Sequence, residues 1–212
     1  MNSIICEEKR ESWAQIWEAG VHLADDFAAA NCKGETTNAG TTAGTSNSAG
    51  RWQIPETWYM KVNIDATFNA TTNYGAVGLI GRNDKGELWG AQYTRITHVG
   101  SPLLAECLAM REGIEFAWKH KWRRIILEVD SKLPIQVLNE KFRVPEEVTT
   151  IAEDIPFLSR HMDVKFQYVS LVFNNAAHTV AHWDHGGSME FLWLHQPPLW
   201  LLPAFFMIYH LS

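Results

Sequence analysis

The sequence contains little cysteine and no pairing pattern for it. Its three cysteines (Cys6, Cys32 and Cys107) are an odd number, and none of them belongs to a CxxC motif. This disfavours a disulfide framework or a thiolate zinc site and favours a reducing compartment. The first residues are acidic where a signal peptide has its apolar segment. We therefore expect an intracellular protein, nuclear or cytoplasmic, with no secretory signal.

An excess of positive charge is also lacking, because the net charge is −6. Proteins that bind nucleic acid non-specifically gain most of their affinity by neutralising phosphates. Any affinity for nucleic acid must therefore come from a local basic patch or from a bound metal ion.

Long apolar runs are absent as well. The apolar C-terminal segment is interrupted by His195, Gln196 and two prolines, which leaves the run from Leu199 to Leu211. This run is shorter than the roughly 20 residues that a membrane-spanning helix needs. We expect no membrane partner and predict that the segment packs on the main domain or on the N-terminal helix. A tail anchor is the alternative.

Composition divides the chain into four segments. Residues 36–50 are almost wholly small or polar and carry no charge, which predicts a flexible linker. In the N-terminal segment, residues 1–35, apolar side chains recur at helical spacing and predict an amphipathic helix at about 7–30, a candidate surface for a protein partner. Residues 51–187 form the predicted main domain, and residues 188–212 form an apolar C-terminal tail.

The main domain alternates between strand and helix patterns. Period-two or short apolar runs predict strands at about 59–68, 76–82, 87–93, 124–129 and 164–169. Helices are predicted from Ser101-Pro102, near 132–140, at about 146–160 and at 174–183. This order predicts an α/β fold with a mixed five-stranded sheet, three antiparallel strands plus two crossover strands, and helices on both faces.

Three carboxylates stand where this fold can bring them together. Asp65 lies inside the first predicted strand of the main domain, Glu106 lies in the second turn of the helix that begins at Ser101-Pro102, and Asp130 ends the fourth strand. Oxygen ligands without thiolates suit a hard cation such as Mg²⁺. Taken singly, each acid also has an ordinary explanation as a helix-dipole, turn or capping residue.

The main domain resembles the ribonuclease H-like domain of plant proteins, which is related to the ribonuclease H domains of retrotransposons. The matching pieces are "KVNIDATF", "GAVGLIGRNDKGEL", "SPLLAECLAMREGIEFAW", "RRIILEVDSK" and "NNAAHTVA". The resemblance implies a ribonuclease H-like fold and Mg²⁺-dependent cleavage of the RNA strand of RNA–DNA hybrids with two ions, for which Mn²⁺ is a possible substitute. It also implies that Asp65, Glu106, Asp130 and the residue at position 178 are catalytic metal ligands.

The sequence departs from the family pattern at two places. The motif Asn-x-x-Ala-Asp ends here in His178, which removes one negative charge from the metal site. The Arg-Glu pair that often precedes the Asn is replaced by Leu171-Val172. These changes leave two alternatives open: a weak or inactive nucleic-acid-binding module, and a protein-interaction adaptor that uses the N-terminal helix and the tail.

Two further groups of residues invite a function. The histidines His178, His182 and His185 follow i, i+4, i+7 spacing, which suits either zinc or a solvated helix face. The segment "KHKWRR" suggests phosphate contacts and a stacking Trp, although cations also gather at helix C-termini to complement the dipole. The predicted nucleic-acid contacts are Lys119, Lys121, Trp122, Arg123, Arg124 and Asn174.

Overall fold

The computed structural model describes residues 4–5, 52–139, 144–183 and 189–210, with side chains of the last range described as far as residue 206. The predicted N-terminal helix at 7–30, the predicted linker at 36–50 and His185 lie outside these residues.

The described part of the chain forms a mixed β-sheet. In chain order its strands are β1 (Ile4–Ile5), β2 (Met60–Asn69), β3 (Tyr74–Arg82), β4 (Leu88–Thr97), β5 (Arg124–Val129), β6 (Asp163–Tyr168) and β7 (Glu190–Leu194). Across the sheet they lie in the order β1-β7-β4-β3-β2-β5-β6. Neighbours from β7 to β2 are antiparallel, whereas β5 and β6 run parallel to β2.

The predicted mixed α/β fold is confirmed, and the five predicted strands correspond to β2 through β6. The sheet has two strands beyond the predicted five. β7 pairs antiparallel with β4, and the two-residue β1 pairs parallel with β7. The sequence of β7, "EFLWL", lacks a period-two pattern, so it could not be distinguished from an apolar tail.

Five helices flank the sheet in the described residues: α1 (Pro102–Lys119), α2 (Lys132–Leu138), α3 (Glu146–Ser159), α4 (Leu171–Ala181) and α5 (Leu202–His210), with a 3-10 turn at Leu199–Leu201. The predicted start of α1 is confirmed. Ser101 is the N-cap, and its Oγ accepts a hydrogen bond from the backbone N–H of Leu104 at 3.2 Å.

The two faces of the sheet pack against different helices. On one face, Val62 and Ile64 of β2 are fully buried in a cluster that includes Ile114 of α1. On the other face, Ala76 of β3 packs in a second cluster with Val180 of α4. Helices on both faces, as predicted, therefore cover the central strands.

Two glycines allow α1 and α4 to approach the sheet closely. A Cβ at Gly113 of α1 would lie 2.6 Å from Leu127 Cδ1 of β5. A Cβ at Gly78 of β3 would collide with the backbone of α4 at Ala177 and Ala181. Side chains on both helices consequently reach the polar groups of the central strands.

The C-terminal segment packs on the main domain. Trp193 of β7 is opposite Ala91 of β4, and Phe205 and Phe206 of α5 are buried in the same cluster as α4. The residues separated as a tail in the sequence analysis thus extend the sheet and its core. Among the described residues, no helix is both long and apolar enough to cross a membrane.

A buried polar network occupies one end of the polar face of β2. Lys61 Nζ forms a salt bridge of 2.7 Å with Glu128 Oε1. Asn63 and Trp52 donate hydrogen bonds to Glu128 Oε2 at 2.8 and 3.2 Å. Arg82 Nη1 donates to Asn63 Oδ1 at 2.9 Å, and its guanidinium lies 4.8 Å from the centre of the Trp52 ring. We call these five residues the Lys61 network.

Candidate active site

Asp65 lies in the interior of β2 and shares its polar face with Lys61 and Asn63, because side chains two residues apart point to the same side of a strand. The residue is buried, with 4% of its surface exposed. Its partner across β3 is Gly78, which adds no side chain beside the carboxylate. Burying a carboxylate is unfavourable unless a nearby group or ion compensates its charge.

The parallel pairing of β5 with β2 brings Asp130 beside Asp65. Val129 is in register with Ile64, so the next residue on each chain lies at the same level. Burial raises the pKa of Asp130, the charge of Asp65 raises it further, and hydrogen bonding together with His178 opposes both effects. The two carboxylates therefore repel each other in a partly desolvated site.

Glu106 reaches the same place from α1. Its Oε2 atom is buried and has no hydrogen-bond partner among the described residues. Burial raises the pKa of Glu106 to about 8, and the charges of Asp65 and Asp130 contribute to the rise. In the absence of a cation, the site therefore favours the neutral form of this carboxyl group.

These three residues form a cluster that we call the carboxylate cluster. One carboxylate oxygen from each of Asp65, Glu106 and Asp130 lies within 4.8 Å of the other two. Within the described ranges, the cluster contacts His178 through Asp65, and no Lys or Arg lies in salt-bridge contact with it. Three oxygen ligands with an uncompensated charge could hold a hard divalent cation.

Helix α4 supplies the polar groups on the remaining side. Asn174 is fully buried, and its Nδ2 donates a hydrogen bond of 2.8 Å to the backbone oxygen of Ile64. One turn later, His178 Nδ1 lies 2.7 Å from Asp65 Oδ2. The predicted nucleic-acid contact at Asn174 is wrong, because this side chain is enclosed and anchors α4 to β2.

His182 follows His178 by one further turn of α4. The two imidazole rings have centroids 4.0 Å apart, and His182 Nδ1 lies 3.0 Å from the backbone oxygen of His178. Asp65, His178 and His182 also each offer a ligand atom within 4.8 Å of the other two. Asp65 is thus common to two sets of metal-ligand residues.

The basic segment after α1 differs from its prediction. Trp122 is 8% exposed and packs edge-on against Trp89 and Phe116 in the core, so the predicted stacking on a base is wrong. Lys121 has a φ of 61°, and this turn directs the following Trp back onto the sheet. The residue just before this segment, Trp118, is 49% exposed, and the sequence analysis missed it.

The predicted cations of this segment are exposed at the C-terminal end of α1 and the start of β5, namely Lys119, Lys121, Arg123 and Arg124. The guanidinium of Arg123 lies 5.1 Å from the centre of the Trp118 ring. Glu106 stands near the opposite end of α1, about 20 Å away at 1.5 Å per residue. The structure does not bring the basic segment into the carboxylate cluster.

Gly78 is a further residue that the sequence analysis missed. Its backbone contact with α4 fixes how near Asn174 and His178 come to β2. The available signal was a glycine inside a strand pattern, which often marks close approach of another backbone.

Comparison with known proteins agrees with this architecture. The family model described as "Reverse transcriptase-like" matches residues 63–184, which is more than half of the chain. A comparison with curated proteins gave no match.

Solved structures with the same fold include RNase H1 from Halobacterium salinarum, with a TM-score of 0.55 and 18% identity over 58% of this chain and 94% of the other. Another is the N-terminal RNase H domain of a Mycobacterium tuberculosis protein, with a TM-score of 0.53 and 15% identity over 58% and 90%. A third is LC11-RNase H1 in complex with an RNA/DNA hybrid, with a TM-score of 0.52 and 13% identity over 57% and 92%.

Identities this low support a likeness of fold, whereas the family model matches the sequence itself. Its matched range contains Asp65, Glu106, Asp130 and His178. The chain therefore belongs to the reverse transcriptase-like family, and its main domain has a ribonuclease H-like fold.

Proposed function

We propose that this protein is a divalent-metal-dependent endoribonuclease that cleaves the RNA strand of RNA–DNA hybrids. The observation that supports this most strongly is the carboxylate cluster, in which three acids from three different elements converge within 4.8 Å. A buried group of like charges without a Lys or Arg partner is unfavourable unless a cation joins it. The ribonuclease H-like fold of the main domain favours ribonuclease chemistry for this cluster.

Asp65, Glu106 and Asp130 hold the metal ions in this proposal, with His178 as a fourth ligand. Asp65 belongs to both groups of candidate ligands and is therefore the residue that the two metal ions share in this proposal. Two bound Mg²⁺ ions, or Mn²⁺ ions in their place, would supply an activated water and a stabilised leaving oxygen. Asn174 keeps α4 against β2 and so fixes the distance between His178 and Asp65.

Substrate contacts are assigned to the exposed cations Lys119, Lys121, Arg123 and Arg124, with Trp118 as the stacking residue. The 2′-hydroxyl groups of the hybrid distinguish RNA from DNA. Because these contacts are few and the chain is acidic, binding should weaken steeply as salt rises. Origin from a plant retroelement and action in the nucleus or cytoplasm belong to the same proposal.

A catalytically weak binding module is the second candidate, and His178 is the observation that favours it. An imidazole replaces the fourth carboxylate of the family pattern and removes one negative charge, which lowers the affinity of the site for two dications. The adaptor hypothesis receives less support, because Trp193, Phe205 and Phe206 of the C-terminal segment are buried and cannot contact a partner.

Cleavage of a strand-labelled RNA–DNA hybrid at low salt, in Mg²⁺ and separately in Mn²⁺, tests the proposal. Wild-type protein should cut only the RNA strand, and Asp130→Asn should not cut it. His178→Asp restores a carboxylate to the site and should raise the rate several-fold.

The outcomes separate the two candidates. Hybrid binding without cleavage, together with cleavage gained in His178→Asp, would identify a binding module whose fourth ligand has been lost. Equal cleavage by wild type and Asp130→Asn would contradict the proposed site, since the residual activity could not arise from the carboxylate cluster.

A further inference from the structure

A pair of histidines lies at the C-terminal end of α4, beside the carboxylate cluster: His178 is in the last turn and His182 is the C-cap. His178 and His182 are one turn apart, with ring centroids 4.0 Å from each other. Each has a ligand atom within 4.8 Å of the other and of a carboxylate oxygen of Asp65. Histidines at i and i+4 on one helix face are a recurrent way to hold a metal ion.

Contacts of both rings hold them in place. The backbone oxygen of His178 can only accept, so His182 Nδ1 donates to it and Nε2 of that ring is the atom available to a metal ion. His178 Nδ1 lies 2.7 Å from Asp65 Oδ2, so one ion can contact both atoms in place of the proton between them. Metal-binding histidines are commonly oriented by a carbonyl on the other ring nitrogen, as His182 is here.

We propose that Asp65, His178 and His182 form a binding site for a borderline divalent ion of the Zn²⁺ class. Two imidazoles and one carboxylate match the ligands that Zn²⁺ takes in proteins when thiolates are absent. His182 is exposed, so water can complete the coordination of the ion. The proposal shares Asp65 and His178 with the metal ligands of the proposed function and adds His182, and its test measures metal binding without cleavage.

This site differs from the carboxylate cluster in ligand chemistry but shares Asp65 with it. The carboxylate cluster offers oxygen atoms alone, which suit Mg²⁺, whereas the histidine pair adds two nitrogen ligands that Mg²⁺ disfavours. A Zn²⁺ ion held by the histidine pair occupies His178 and an oxygen of Asp65, so a Mg²⁺ ion cannot use these ligand atoms. Zn²⁺ should consequently weaken Mg²⁺ binding at the carboxylate cluster.

The experiment measures Zn²⁺ affinity of the full-length, tag-free protein by competition with a chromophoric chelator, and compares three variants. His182→Ala removes one nitrogen ligand, and Glu106→Gln alters the carboxylate cluster without touching the histidine pair. His161→Ala is the matched control, because His161 is an exposed histidine just before β6, at the end of the sheet opposite to Asp130.

We expect His182→Ala to lower the Zn²⁺ affinity at least tenfold, while Glu106→Gln and His161→Ala remain within about twofold of wild type. Because His182 is exposed, the variant should keep the wild-type circular dichroism spectrum. His182→Gln, which also lacks the imidazole, is a second variant for the same comparison. Wild-type affinity for Zn²⁺ in both His182 variants would overturn the proposal, and so would a stronger loss in Glu106→Gln than in His182→Ala.

Discussion

The two ends of the polar face of β2 have opposite electrostatic arrangements. At one end, Lys61 and Glu128 form a salt bridge of 2.7 Å, and neighbouring side chains satisfy the second oxygen of Glu128. At the other end, Asp65 meets Glu106 and Asp130, and the pKa values of the latter two are raised. Lys61 and Asp65 are only four positions apart on one strand.

The difference in charge compensation distinguishes the Lys61 network, which is structural, from the carboxylate cluster, which we propose is functional. The Lys61 network contains its own cations and hydrogen-bond partners, so its charges need nothing from solution. The carboxylate cluster repels itself, and Glu106 Oε2 is buried without a partner among the described residues. An added cation would stabilise the second group and would leave the first unaffected.

Breaking the Lys61 network should give the largest change in stability. Glu128→Ala leaves a buried ammonium on Lys61 without its carboxylate and should lower the free energy of unfolding by about 3–5 kcal/mol. Urea unfolding monitored by circular dichroism measures the change.

The matched control is the exposed pair of Lys165 and Glu56, whose side chains are 3.2 Å apart and 42% and 71% exposed. Glu56→Ala should cost at most about 1 kcal/mol because water screens this pair. Equal losses in the two variants would contradict the structural role assigned to the Lys61 network.

The carboxylate cluster should make stability depend on pH in the metal-free protein. Glu106 has a folded-state pKa of about 8, above its ordinary value of 4.5, so between these two pH values the folded state holds a proton that the unfolded state has released. Stability is therefore greatest below pH 4.5 for this group and falls as pH rises towards 8, by about 2–4 kcal/mol.

Urea unfolding in a chelator at pH 5, 6.5 and 8 tests this slope. Glu106→Gln should make the dependence of stability on pH weaker. In the wild type, millimolar Mg²⁺ should restore the stability that is lost at pH 8. Glu115→Gln is the control on the same helix, because Glu115 pairs with Arg111 outside the cluster, and this variant should retain the slope. A flat profile for the wild type would show that Glu106 titrates normally.

Gly78→Ala should have a smaller effect on stability than the two changes above and a specific effect on the site. The new methyl group meets the backbone of α4 at Ala177 and Ala181, so the helix must shift, at a cost of about 1–3 kcal/mol. The shift separates His178 from Asp65 and should reduce metal affinity.

Gly100→Ala is the matched control for that substitution. Its Cβ would meet the end of the Glu147 side chain, which can move aside, so stability should change by less than about 0.5 kcal/mol. Metal affinity equal to wild type in Gly78→Ala would contradict the positioning role of this glycine.

Local patterns were sufficient to predict much of this arrangement. Period-two alternation located β2 and its polar face, and the Ser101-Pro102 start fixed the phase of α1 and so the place of Glu106. The position of Asp130 beside Asp65 depends on the register between β5 and β2, and no local sequence pattern contains that register. It followed only from the expected topology of the fold.

Other features depend on tertiary contacts that composition does not encode. One tryptophan precedes the basic segment and another lies within it, and only the turn at Lys121 determines that Trp122 is buried and Trp118 exposed. Strand β7 is defined by its pairing with β4. The enclosure of Asn174 results from the contact of α4 with Gly78, so its role in anchoring the helix could not be predicted.

The Asp65→Asn variant tests the central claim most directly. Its rate of RNA-strand cleavage in Mg²⁺ and its free energy of unfolding should be measured on one preparation and compared with those of the wild type. Asparagine keeps the shape of the side chain and removes a charge from a self-repelling cluster. We predict that cleavage falls at least about 10³-fold, since metal-ion stabilisation amounts to several kcal/mol, while the free energy of unfolding changes by less than about 1 kcal/mol. Cleavage at the wild-type rate, or loss of cleavage that merely follows loss of the folded state, would contradict the account.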